Sequence, residues 1–307
     1  MFQDVLILLA GLGCAAAGGH FFLHGTVGLA QAWHLSAAMI GATIAAFSTS
    51  SPELAVAIGS GLAGAPEISL GDALGSNVVN VALILGGALL LGPIHCSTET
   101  VRRDLLAAVV APLLLGLLAA DGRLSRFDAI ALLVVFFGWL GLMVDTVRRQ
   151  RAKLPPEANA QPWDAVSRVV LGLVLLVSSS WLIVSGAQGI ARSLGWTSFL
   201  VGALIVAVGT STPEIVTTLY ARWRGHDDIG LGTILGSNVF NLLFIVAVAA
   251  LLRPVQVSGF GPWLALGVGL AVTLLVVPGK SGVLSRWRGL LLLASYGSYL
   301  VATLVWH

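Results

Sequence analysis

SAAMIGATIAAFSTSSPELAVAI, residues 36–58, and TSFLVGALIVAVGTSTPEIVTTL, residues 197–219, carry their polar residues in the same places. Glu214 follows Glu53 by 161 residues, and the same interval separates Pro213 from Pro52, Ser237 from Ser76 and Asn241 from Asn80. Downstream, GDALGSNVVN (71–80) matches GTILGSNVFN (232–241) without a gap. Upstream, Gly25 and Gly28 match Gly186 and Gly189. Two apolar helices resemble one another through composition alone, but composition does not hold acids, prolines and amides in register. The chain therefore reads as an internal duplication.

The duplicated segments lie in apolar surroundings. Of 307 residues, 57% are hydrophobic and 10% charged, with mean hydropathy +0.95, whereas a soluble domain carries about 25% charged residues. A soluble fold is excluded on that ground. A run of about 20 apolar residues crosses the roughly 30 Å hydrocarbon layer as one helix. Ten spans are expected, near residues 5–29, 36–64, 69–92, 104–120, 128–146, 166–190, 197–221, 229–252, 259–278 and 289–306. The runs lack the alternation that lipid-facing strands need, so the fold class is an all-α integral membrane protein.

Five spans per half is an odd number, so the second half enters the bilayer in the opposite sense and the repeats are inverted. The halves are placed at 1–150 and 163–307. They are joined by a charged, proline-containing linker, residues 151–162, too short to hold a folded domain. With ten spans, twelve of the sixteen Lys and Arg fall in loops on one side. Positive loops stay cytoplasmic, which puts both termini outside a cell (inner) membrane. The start, MFQDV, has an acid and no basic segment before its apolar run, so the first span is expected to be retained. Cys14 lies in a span and Cys96 in a loop, which argues against a disulfide. The net charge of +2 gives no footing for nucleic acid, and no obligate protein partner is evident beyond membrane lipid.

Of the fourteen acids, Glu53 and Glu214 lie near the middle of long apolar spans. A carboxylate at the bilayer centre costs roughly 2.5 to 3.5 kcal/mol on insertion scales and normally faces an interior cavity. Pro52 and Pro213 precede these acids, and a helix proline crowds the carbonyl four residues back, here Ser48 and Gly209, so free carbonyl oxygens are expected. Around them lie the hydroxyls of Thr49, Ser50, Ser51, Thr210, Ser211 and Thr212, with Ser76, Asn77, Asn80, Ser237, Asn238 and Asn241 on the following spans. Every ligand offered is oxygen, with no thiolate or imidazole, which suits Ca2+ and Na+ better than Zn2+ or Cu2+. Small residues of the GSN segments also suit close helix packing. His20 and His24 share a helix face but read as packing, and Asp72 reads as an acid opening the third span, where it complements the helix dipole. Thr233 replaces it in the second half.

FSTSSPEL with GDALGSNVVN, and VGTSTPEI with GTILGSNVFN, resemble the two alpha repeats of the sodium/calcium exchangers in the cation/calcium antiporter superfamily. The resemblance covers essentially the whole chain. It implies Ca2+ bound between Glu53 and Glu214 with help from the Thr49 and Thr210 carbonyls. It further implies Na+ sharing these oxygens and using Ser50, Ser211, Ser76, Ser237, Asn80 and Asn241. Two positions depart from the pattern. Ser48 stands where a Gly-Thr-Ser motif has glycine, and Asn241 stands where several exchangers, notably the potassium-dependent ones, carry Asp. With two carboxylates the site argues against K+ cotransport.

The expected function is secondary antiport of Ca2+ against Na+ by alternating access, with H+-coupled Ca2+ or cation antiport as the alternative. Ca2+ and Na+ are transported ions; no cofactor is expected. Without a catalytic triad, phosphate loop or redox motif, the chain is not read as an enzyme.

Overall fold

The computed structural model describes residues 1–32, 49–96, 104–150, 162–223, 227–279 and 282–305. Ser48 and the first part of the second expected span lie outside these, as do most residues of the central linker. The first half comprises α1 (Phe2–Ala32), α2 (Ser51–Ala63), α3 (Pro66–Leu91), β1 (Ile94–His95), α4 (Leu106–Leu118), β2 (Arg123–Leu124) and α5 (Arg126–Gln150). The second half comprises α6 (Pro162–Leu194), α7 (Ser198–Thr210), α8 (Thr212–Trp223), α9 (Asp227–Phe240, continued by Asn241–Ile245 and Val246–Leu252), β3 (Val255–Gln256), α10 (Phe260–Leu275), β4 (Val283–Leu284) and α11 (Arg286–Val305). The protein is an all-helical membrane protein.

Among the described residues, six helices are long and apolar enough to cross a bilayer, and α7 with α8 makes a seventh as a pair bent by 40°. At two of the ten expected spans, 104–120 and 259–278, the described helices α4 and α10 are shorter apolar helices of 13 and 16 residues. At about 1.5 Å per residue they fall short of the roughly 30 Å core. In chain order α4 is followed by β2 and α10 by β4.

Helix starts follow local chemistry. Pro66 occupies the first turn of α3, where its missing N–H costs nothing. Thr197 caps α7 by accepting the Leu200 N–H at 3.2 Å. Ser125 and Asp128 cap α5 reciprocally: the Ser125 N–H donates to Asp128 Oδ2 at 2.8 Å and the Asp128 N–H to Ser125 Oγ at 3.3 Å.

The two repeats pack against each other through α1 and α6. Along α1 and α6 the glycines mark the contact: a Cβ at Gly11 would meet the Ile183 nitrogen at 2.8 Å, one at Gly18 the Leu176 nitrogen at 3.0 Å, and one at Gly25 the Val169 nitrogen at 2.6 Å. Each step up α1 is matched by an equal step down α6, so the helices are antiparallel, and the missing side chains let their backbones touch. Gly172 and Gly186, the repeat partners of Gly11 and Gly25, make the reciprocal approaches to Phe22 and Leu8. This is the signature of a two-fold relation, in which residue i meets j and the copy of j meets the copy of i.

The same relation recurs at the ends of the molecule. β1 pairs antiparallel with β4, and β3, the copy of β1, pairs with β2. Arg126 Nε donates to the Leu251 carbonyl at 2.9 Å at the end of α9, and Arg286 approaches the Leu91 carbonyl at 3.5 Å at the end of α3. Cations there complement the helix dipole and the unpaired last carbonyls. α3 and α9 pass through the centre of the main core, where Val78, Val79, Leu85, Val239, Leu242 and Ile245 are buried together.

Candidate ion-binding site

Proline fixes where the functional helices break. Pro52 and Pro213 stand in the first turns of α2 and α8. The serines just before these helices adopt nearly the same conformation, Ser50 at φ −89°, ψ 12° and Ser211 at φ −74°, ψ 7°. The breaks place Glu53 and Glu214 in the first turns of α2 and α8, where the positive helix end favours an anion. Both acids are buried, at 1% and 0% exposure.

All ten sequence-predicted ligand residues are buried: Thr49, Ser50, Glu53, Ser76, Asn80, Thr210, Ser211, Glu214, Ser237 and Asn241. Ser50 Oγ donates to Ser237 Oγ at 3.3 Å, which donates to Glu214 Oε1 at 3.0 Å, tying the first repeat to the acid of the second. Ser76 Oγ reaches the Ala207 carbonyl at 3.4 Å. Glu53 and Glu214 are close enough to interact electrostatically.

Four asparagines form the seam between α3 and α9. Asn77 Nδ2 donates to the Asn238 carbonyl at 3.0 Å, and Asn238 Nδ2 returns a bond to the Asn77 carbonyl at 3.2 Å. Asn80 Nδ2 donates to Asn238 Oδ1 at 3.0 Å, and Asn241 Nδ2 to Asn77 Oδ1 at 3.1 Å. Exchanging the repeats maps this network onto itself. It also divides the labour: Asn77 and Asn238 spend their amides on the seam, whereas Asn80 and Asn241 anchor through nitrogen and keep Oδ1 without a hydrogen bond. α3 and α9 switch to π-helix at Val79–Leu85 and Asn241–Ile245. Such turns re-aim side chains and collect at functional sites.

Several buried oxygens have no hydrogen-bond partner: both of Glu53, Oε2 of Glu214, Oγ of Ser211 and Oδ1 of Asn80 and Asn241. Buried polar groups are almost always satisfied, so a group of unsatisfied acceptors fits a site that coordinates a cation. One expectation is corrected. The Gly209 carbonyl, four residues before Pro213, is not bare, because Thr212 Oγ1 donates to it at 2.7 Å. The hydroxyl takes the place of the amide that proline removes. The Ser48 carbonyl lies outside the described residues.

Sequence reasoning passed over one acid. Asp72, expected to open its span as a dipole partner, lies instead inside α3 with no exposed surface. It accepts hydrogen bonds from Thr210 Oγ1 at 2.8 Å and from Ser76 Oγ at 3.5 Å. Its spacing of four residues from Ser76 puts both on one helix face, a signal available in the sequence. What was hidden was that α3 starts six residues earlier, at Pro66.

The sequence model described as "Sodium/calcium exchanger protein" matches residues 4–144 and again 165–305, two stretches set 161 residues apart like the motifs. The chain belongs to the sodium/calcium exchanger family. It is 32% identical to CaxA of Alkalimonas amylolytica, with 97% of this chain and 98% of the relative covered. It is 27% identical to the sodium/calcium exchanger MaX1 of Methanosarcina acetivorans, with 97% of each covered. The fold matches the solved sodium-calcium exchanger NCX_Mj soaked with Na+ and Sr2+, with TM-score 0.70, 28% identity and 98% and 99% of the two chains covered. The protein is therefore a multi-pass transporter of a cation/Ca2+ antiporter family and not an enzyme. Among the described residues of this exchanger-family chain, no three His, Cys, Asp or Glu side chains converge on one point. The other side chains of the pocket offer hydroxyl and amide oxygens, a donor type that suits Ca2+ and Na+.

Proposed function

We propose that the protein exchanges Ca2+ for Na+ across a cell (inner) membrane by alternating access. The observation that carries this reading is a pair of symmetry-related buried carboxylates, Glu53 and Glu214, beside unsatisfied oxygens and outside every ion pair among the described residues. In this reading Ca2+ sits between Glu53 and Glu214 with the Thr49 and Thr210 carbonyls. Na+ takes the oxygens of Ser50, Ser211, Ser76, Ser237, Asn80 and Asn241. The two inverted repeats of this reading are residues 1–150 and 163–307, joined by the linker at 151–162.

Electrostatics supplies the coupling. Closing the protein over bare buried carboxylates leaves charge uncompensated in a poorly solvated place. A cation load removes that penalty, so loaded forms change access and the empty form does not. Ca2+ and Na+ then take turns on shared oxygens, and net flow follows the steeper gradient. Similarity to the sodium/calcium exchanger MaX1 and to the sodium-calcium exchanger NCX_Mj, solved after soaking with Na+ and Sr2+, supports Na+ as the counter-ion.

Purified protein in vesicles is expected to take up radiolabelled Ca2+ when an outward Na+ gradient is imposed. Outward K+ or Li+ gradients should do little. Uptake driven by a pH gradient alone would replace this reading with H+ coupling, and Ca2+ leak without any counter-ion would make the protein a channel.

Loop charge predicts the orientation, with both termini outside. Single cysteines introduced beside Arg151 and Arg224 should react with an impermeant thiol reagent only from the cytoplasm, and one beside Arg123 only from outside. Opposite accessibility of the first two would contradict this topology.

A further inference from the structure

Asp72 breaks the symmetry of the pocket. The hydroxyls, amides and glutamates come in pairs across the two-fold, but the repeat partner of Asp72 is Thr233. Oδ1 of Asp72 is held by Thr210 and Ser76, while Oδ2 is buried and makes no hydrogen bond. None of the ion pairs among the described residues involves it. Its neighbours bring neutral oxygens: Thr210 Oγ1 lies 3.1 Å from the Val206 carbonyl, and Ser76 Oγ lies 3.4 Å from that of Ala207.

We propose that Asp72 is a specificity-determining ligand of the pocket, whose carboxylate draws a monovalent cation to the Ser76, Ala207 and Thr210 side and makes the two halves inequivalent. One carboxylate among neutral oxygens balances one positive charge. A Ca2+ ion there would keep an uncompensated charge in a low-dielectric surrounding and is better served by the glutamate pair. Because Asp72, Glu53 and Glu214 do not converge on one point, Asp72 acts on a neighbouring position of the pocket. The pocket thus carries three carboxylates although residue 241 is Asn, and the third enters from α3, on one side only. The inference rests on the reading that Na+ and Ca2+ share this pocket.

The test measures radiolabelled Ca2+ bound to the full-length purified protein and its displacement by Na+. Asp72→Asn keeps the shape and removes the charge. It is expected to raise the Na+ concentration for half-displacement about tenfold while changing Ca2+ affinity by less than about threefold, since one buried charge facing the monovalent position is lost. Asp72→Ser, which can still meet the Thr210 hydroxyl, gives the same reading should the amide not yield monodisperse protein. Thr233→Asp adds a carboxylate at the symmetry-related place and should lower the Na+ requirement, a change of opposite sign that damaged folding cannot produce. Unaltered Na+ displacement in both Asp72 variants, or equal weakening of Na+ and Ca2+, overturns the proposal and leaves the exchange reading intact. A wild-type protein whose bound Ca2+ is not displaced by Na+ overturns both.

Discussion

Glu53→Gln and Glu214→Gln are each expected to nearly abolish Ca2+ transport while leaving the protein folded. Glutamine keeps the size of the side chain and one carbonyl acceptor but removes one of the two charges set across the two-fold. Breaking a buried charge pair costs about 3 to 5 kcal/mol, or roughly two to four powers of ten in affinity, and the same scale applies to an ion held between two acids. Because neither carboxylate is in an ion pair among the described residues, the ion-free variants should unfold at or above the wild-type temperature. Added Ca2+ should raise that temperature only in the wild type, since a ligand stabilises the fold only as far as it binds. Flux in vesicles and melting with and without Ca2+ measure the two effects. If both glutamine variants transport at wild-type rates, the glutamate pair is not the site.

Gly71→Val and Gly75→Val are expected to prevent accumulation of folded protein. A Cβ on Gly71 would overlap the Phe199 carbonyl oxygen, and one on Gly75 would overlap that of Ala203. Both obstacles are backbone, so no side chain can swing aside. α3 and α7 would have to separate, which also pulls Ser76 away from the Ala207 carbonyl. Overpacking a core costs about 1 to 3 kcal/mol when side chains can adjust, and more is expected where they cannot. Gly138→Ala is the control, since nothing lies within 4 Å of its added Cβ. Size-exclusion profiles and melting temperatures in detergent should separate the three variants, and wild-type behaviour of Gly75→Val would show that α3 and α7 do not approach this closely.

The sequence determined the class, the duplication and most of the candidate ligands, because each of these is written locally. Apolar run length reports the bilayer, and the constant interval from Glu53 to Glu214 and from Asn80 to Asn241 reports the repeat. Acids beside prolines in apolar runs report a place where burial needs a reason. Tertiary structure alone decided which of these residues meet. The resemblance singled out Asn80 and Asn241, but only the crossed amide bonds of Asn77 with Asn238 show why: one pair holds the seam and the other keeps its oxygens open. Asp72 looks like a helix-end acid until α3 is seen to begin at Pro66 and to lie against Thr210. The two short ladders join distant strands of two residues each, too few to leave a periodic trace. Composition and periodicity describe what one segment prefers. Burial, hydrogen-bond partners and the charge facing an ion depend on which segment crosses it, and that follows from antiparallel packing of the two repeats through their glycines.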